Sequence, residues 1–193
     1  MATPLDSIRW PVTTDRLALR PATEGDLDAS WAIRSKPGVS DWLTSAADDR
    51  ATFEARFCAP ARFAKTLVVE RDGSVIGDVM ISVKDGWAQA EIEDQCKAVE
   101  AELGWVLDPV HHGHGYATEV VHELFRICFD ELGLRRVVAN CFADNVASWQ
   151  LMERVGMRRE AHSRADGLHR SGAWLDGMGY ALLADEWRAA RPD

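Results

Sequence analysis

Several features that would assign the chain to a class are missing. Its four cysteines, Cys58, Cys96, Cys128 and Cys141, stand far apart with no paired spacing, which excludes a zinc ribbon and argues against a disulfide framework. No run of about 18 apolar residues occurs, so the length rule excludes a membrane-spanning helix. Positive charge is scarce: 22 Lys and Arg stand against 31 Asp and Glu, a net charge of −9. A general nucleic-acid surface would need a basic face, so none is expected. The first residues carry no basic segment followed by an apolar one, and a reduced, cytoplasmic protein is the plain reading. Internal repeats and low-complexity linkers are also missing. With 193 residues and 47% apolar content the chain can form one substantial core, and a second independent domain would be cramped.

What is present reads as alternating strands and helices. Alternation over residues 16–20 predicts a first strand, and Thr23 with Asp26 makes a capping-box-like start for a helix to about Arg34, closed by Pro37 and Gly38. A second helix is expected over residues 48–57. The β-rich runs 65–70 and 75–83 hinge on Asp72 and Gly73, a hairpin signal. Residues 84–100 are irregular and acidic, with Glu91, Glu93, Asp94 and Glu100 against Lys97; a solvated loop is the plain reading, recognition of a cationic amine the functional one. The eight tryptophans read mostly as packing, although Trp31, Trp42 and Trp87 are candidates to line an acceptor cleft. A strand over 101–107 is stopped by Pro109. In the helix that follows, Ala117, Val120, Val121, Leu124, Cys128 and Leu132 recur at three- and four-residue steps up to Gly133. A strand at 136–142, a helix at 146–155 capped by Gly156, and strands at 157–163 and 173–183 complete the pattern. The order predicts an α/β or α+β fold with a strand-helix-strand-helix-strand core.

The most informative stretch is residues 102–132, where an apolar strand meets a glycine turn and then an amphipathic helix. Gly113 and Gly115 flank a single residue, so the backbone can bend tightly and present bare NH groups at the positive end of the helix, a cradle suited to a pyrophosphate. A lone Gly-x-Gly is usually only a short turn. Here it follows a strand, opens a helix and is matched downstream by Asn145 and Ser148.

Gly113, His114, Gly115, Tyr116, Ala117, Thr118 and Glu119 resemble the acyl-CoA pyrophosphate loop of the GNAT acetyltransferase superfamily, most closely its RimJ/RimL-like branch. Asn145 and Ser148, followed by a helix ending at Gly156, are similar to the second signature of that family. The opening over residues 14–21, the Gly73 to Gly77 hinge, and Tyr180 with Glu186 and Trp187 match in the same order, so the resemblance covers about residues 12–187 as a single domain. It implies a mixed, mostly antiparallel central sheet with a splayed strand pair, flanked by helices. It also implies acetyl-CoA as co-substrate and direct transfer of the acetyl group to a primary amine, on a protein N-terminus or a small molecule. Backbone groups of Trp105, Val106 and Leu107 would read the pantetheine arm, and NH groups from Gly113 through Thr118 would hold the pyrophosphate. Asn145 would reach the arm, and Ser148 would face the thioester sulfur. Many relatives place a Tyr where this chain has Met152, so Ser148 becomes the candidate acid, with Tyr180 a more distant one. Glu102 is the candidate base. Val110 stands where the wider superfamily often has Gln or Arg.

Two competing readings go with these. An acyl-CoA-binding regulatory module without catalysis is favoured by Met152. A metal enzyme would use His111, His112 and His114, but consecutive positions in a tight turn point apart and no Cys or carboxylate sits at matching spacing, so no metal is expected. An exposed last strand could pair across a two-fold axis, so a homodimer is the expectation for assembly.

Overall fold

A computed structural model describes residues 3–190 of the chain. It is a mixed α/β structure with eight strands, mostly antiparallel, flanked by helices. Residues 3–81 with 104–120 form one compact unit and residues 82–103 with 121–190 another. No helix among the described residues is long and apolar enough to cross a membrane.

In the first unit, strands β1 (Val12–Thr13), β2 (Ala18–Pro21), β3 (Thr66–Arg71) and β4 (Ser74–Lys84) pair in sequence, each antiparallel to the next. Asp72 and Gly73 both take positive φ, 50° and 76°, which is what the two-residue hairpin predicted there requires. The Thr23 and Asp26 box forms, but it caps a 3-10 turn, Glu24–Asp26, that leads into helix α1 (Leu27–Arg34). Arg20 clamps Asp26 through two bonds of 2.8 and 2.7 Å, so a strand residue holds the helix start in place. Asp49 accepts the Thr52 NH at 2.7 Å and caps helix α2 (Arg50–Phe57). The short helix α3 (Pro60–Phe63) begins on a proline, whose missing NH costs nothing at a first helical position; at four residues it has no periodicity to read in the sequence. These helices cover the face of β3 that carries Val68: Phe53, Phe57 and Val68 are buried with Leu27, Trp31 and Phe63 against them. Trp31 therefore packs, with its ring 5.4 Å from that of Phe53.

The second unit takes up the start of β5 (Glu100–Leu107) and most of helix α4 (Tyr116–Arg126). Strand β6 (Arg136–Phe142), helix α5 (Val146–Arg154), strands β7 (Arg158–Leu168) and β8 (Trp174–Leu183) and helix α6 (Ala184–Ala189) follow. β6 pairs antiparallel with β8, and β8 with β7. β5 and β6 run parallel, but their ladder has only the three rungs from Glu100↔Arg136 to Glu102↔Val138, although both strands continue. A ladder that ends while its strands go on is what a splayed pair requires.

Two departures from the sequence pattern have local causes. The predicted stripe on α4 widens past Leu124, where Phe125, Ile127 and Phe129 are buried as well as Cys128. Residues Ile127–Glu131 are π-helical, closed by Leu132 NH donating to the Ile127 carbonyl at 3.0 Å, and the inserted residue turns new side chains inward against Trp187 of α6. Strand β7 runs five residues past the predicted end because it carries two bulges. At the second, Ala165 takes φ 46° and its NH bonds Asp176 at 2.9 Å, a polar insertion that breaks alternation without ending the strand. Residues 84–99 close on themselves: Asp85 accepts the Ala98 NH and Gly86 NH donates to Cys96, both at 2.8 Å. With Arg135 they line an open surface pocket of about 410 Å³, and Trp87 in its wall is 93% exposed.

Candidate functional site

The cradle lies in the first unit. Gly113 and Gly115 both sit at φ 79°, in the left-handed region where a side chain is strained, and a Cβ on Gly113 would enter open space. Among the described residues, none of the NH groups from Gly113 through Thr118 donates to a backbone carbonyl; the first helical bond is Glu119 NH to Gly115 carbonyl, at 3.1 Å. Six consecutive free donors at a helix start are the arrangement that fits a pyrophosphate.

Side chains fix the cradle from behind. Glu119, in the first turn of α4, accepts from Thr14 at 2.5 Å, from the Arg16 NH at 3.0 Å and from Arg16 Nε at 2.7 Å. Arg16 Nη1 then donates to the His114 carbonyl at 3.0 Å, which ties down the peptide oxygen at the loop's apex. Burial alone would raise the Glu119 carboxyl, but the bonds from Thr14 and Arg16 override it and hold it below the ordinary carboxylate range. Tyr116 is buried beneath the Arg16 and Arg71 guanidiniums, which lie 4.6 and 5.2 Å from its ring centre. At the loop's entrance Asp108 accepts Lys36 Nζ on both oxygens, at 2.7 and 2.6 Å, and caps the turn through the Val110 NH. Burial works against its charge, yet these bonds keep Asp108 below its usual value. His112 Nε2 lies 3.1 Å from the Leu107 carbonyl, while the rings of His111 and His114 lie beside Tyr116. Val110 is exposed. On β4 a Cβ at Gly77 would collide with the Val106 carbonyl, so the end of β5, with Trp105, Val106 and Leu107, runs close along glycine backbone.

The remaining candidates lie in the second unit. Asn145 caps α5, its side-chain oxygen 3.3 Å from the Ser148 NH. Ser148 is half-buried; burial pushes the Cys141 thiol of β6 up, and the Ser148 hydroxyl opposes the shift. Glu102 stands on β5 between the buried Ala101 and Leu103, with its side chain 40% exposed, 3.7 Å from Lys84 Nζ and 3.4 Å from the Asn140 amide. Tyr180 is 1% exposed and donates to Glu153 at 2.9 Å. Burial first, and Glu153 second, push its phenol up to about 12. Met152, in place of the usual phenol, is buried. Arg16, Thr14, Lys36 and Cys141 were not foreseen as part of either group. Their partners lie up to 105 residues away, beyond any local pattern.

Residues 16–158 match the family model described as an acetyltransferase (GNAT) domain. The uncharacterized N-acetyltransferase YnaD of Bacillus subtilis is 35% identical over 86 residues, 45% of this chain, and the chain spans half the length of that relative. The crystal structure of spermidine N-acetyltransferase from Vibrio cholerae in complex with CoA and spermine shares the fold, with a TM-score of 0.72 at 17% identity over 91% of this chain and 99% of that one. So does Mycobacterium smegmatis RimJ in complex with CoA-disulfide, with a TM-score of 0.69 at 23% identity over 94% and 95% of the two chains. With the family model covering well over half of the sequence, the chain belongs to the GNAT family of acetyltransferases.

Proposed function

We propose that the protein transfers an acetyl group from acetyl-CoA to a primary amine, and that it belongs to the RimJ/RimL-like branch of its family. The observation that carries the coenzyme half is the run of six free NH groups at a helix start, with the loop's carbonyl tied back by Arg16. Those donors hold a pyrophosphate without any cationic side chain, so Val110 in place of Gln or Arg is tolerated. The pantetheine amides are read by backbone groups of Trp105 and Val106 as by a neighbouring strand. The Leu107 carbonyl joins them once it is released from His112. Asn145 bonds the arm with the part of its amide not used by the cap.

In the transfer, the neutral amine attacks the thioester carbonyl carbon, the new C–N bond forms and the C–S bond breaks. The proton lost by nitrogen goes to Glu102, directly or through a water, and the departing thiolate takes the Ser148 hydroxyl proton, which is restored from water. A thiol leaves readily, with a pKa near 8.5, so a hydroxyl is a sufficient donor. Tyr180 is a weaker candidate, because its proton is committed to Glu153. The acceptor is a protein N-terminus or a small amine.

Calorimetry with acetyl-CoA, followed by thiol release over N-terminal peptides, polyamines and aminoglycosides, tests the reading. Binding with turnover supports it and names the acceptor class. Binding without turnover on any acceptor removes the catalytic half, and no binding removes the whole.

A further inference from the structure

A second polar cluster lies in the first unit and has no part in the cradle. Arg34 on α1 makes a bidentate pair with Asp78 on β4, at 2.8 and 2.5 Å, and Arg62 on α3 reaches the same Asp78 oxygen at 3.2 Å. Arg34 is 8% exposed and Asp78 3%. Two guanidiniums and one carboxylate leave one positive charge uncompensated among these groups. Burial, and then the neighbouring Arg34 charge, pull the Arg62 guanidinium below its ordinary value, so its cation is held at a cost.

Three donors in this region also lack partners. Among the described residues, Arg62 Nε, Ser30 Oγ and Thr66 Oγ1 are buried without a hydrogen bond. Ser30 is 1% exposed and lies one turn before Arg34 on the buried side of α1; Thr66 is 0% exposed. Val68 pairs with Asp78, and Thr66 with Met80, so with a period of two Thr66 shares the helix-covered face with Asp78. An orphaned buried donor is costly, and three of them with a surplus cation on the same helix-covered face share one chemical remedy.

We propose that Arg62, Ser30 and Thr66, around the Arg34–Asp78 pair, form a binding site for one monovalent anion of carboxylate size, either a free ion or the carboxylate of the acyl acceptor. A single negative charge neutralises the cluster, where a dianion would overshoot. The two oxygens of a carboxylate offer enough lone pairs for one guanidinium NH and two hydroxyls.

The probes are formate and bromide, titrated into the full chain at constant ionic strength with sulfate as the balancing salt, with thermal unfolding as the readout. A saturable rise in Tm is expected in the wild type, lost in Arg62→Gln. In the Ser30→Ala, Thr66→Val double variant, which removes two donors at little change of volume, half-saturation moves about tenfold or more to higher concentration. An equal response in wild type and variants is a general salt effect and overturns the site, as does no response at all. If Arg62→Gln fails to fold, the double variant carries the comparison. This arm needs neither acetyl-CoA nor turnover, so it reads out even if the transferase reading fails. A second arm identifies the source: acetylation of amino acids is compared with that of their amides. A preference for the free carboxylate that formate competes away assigns the site to the acceptor. Saturable formate binding without effect on acceptor KM assigns it to a free ion.

Discussion

The cradle and the candidate chemistry differ in how they are held. In the first unit every contact proposed for the coenzyme is backbone, and the side chains around it are locked: Glu119 takes three bonds from Thr14 and Arg16, and Asp108 is gripped on both oxygens by Lys36. In the second unit the candidate acid and base are side chains with looser surroundings. Glu102 is 40% exposed with its nearest cation at 3.7 Å. A binding platform gains from rigidity, since fixed donors lose no freedom when the ligand arrives. A group that accepts and releases a proton needs a partner weak enough to yield.

The comparison breaks most visibly if the two groups are altered separately. Glu102→Gln is expected to lower kcat by at least about a hundredfold, the lower range for a general base, with acetyl-CoA affinity unchanged. An unchanged kcat would move the base elsewhere. Gly113→Val acts on the other side of the split. A branched residue at φ 79° is strained and fills the space above the NH groups, so coenzyme Kd should rise about ten- to a hundredfold, with kcat at saturation nearly kept. Gly133→Val, at φ 64° with nothing near its Cβ position, imposes similar strain away from the cradle and should lower Tm alone. If Gly133→Val weakens the coenzyme as much, the cradle assignment fails.

A smaller effect is expected from the brace. Glu119→Gln keeps the shape but loses the charge that holds Arg16, whose side chain is half exposed, so about 0.5–1 kcal/mol of stability goes with it. Coenzyme Kd should rise only severalfold, as the His114 peptide is freed. Because Glu119 is held below its ordinary value, its contribution is present above the ordinary carboxylate range and is lost as pH falls through the folded value. Wild type and Glu119→Gln should therefore converge in Tm toward acid. Curves that stay parallel would remove the brace.

The same contrast decides what was legible in the sequence. Gly113, Gly115 and the helix after them are local signals, because a positive φ and a row of free donors are written in consecutive residues. Asp72 and Gly73 specify their hairpin in the same way. The brace is not local. Arg16 and Glu119 are 103 residues apart, and nothing near either names the other. The family resemblance pointed to Ser148 but not to Cys141, whose place beside it depends on how β6 and α5 pack. The π-turn at Ile127–Glu131 and the bulge at Ala165 were hidden because each inserts a residue into a regular period, which reads as a weaker signal instead of a different structure.

The smallest expected effect on activity concerns Tyr180, and it sharpens the contrast within the second unit. Its phenol is buried and bonded to Glu153, so it belongs with the locked groups, unlike Glu102. Its folded pKa, about 12, lies above the ordinary 10, so the unfolded chain loses this proton first as pH rises. The stabilisation is complete below pH 10 and is lost between 10 and 12. Glu153→Gln removes the nearby charge but leaves the burial, so the Tyr180 transition, followed by carbon NMR of labelled tyrosine, should move down without reaching 10. The tyrosine count makes assignment simple, since Tyr116 is the other one. Near neutrality the variant should differ by about 1 kcal/mol, the net worth of one hydrogen bond, and kcat should be unchanged. A fall in kcat to match would make Tyr180 the proton donor after all, and Ser148 would lose that role.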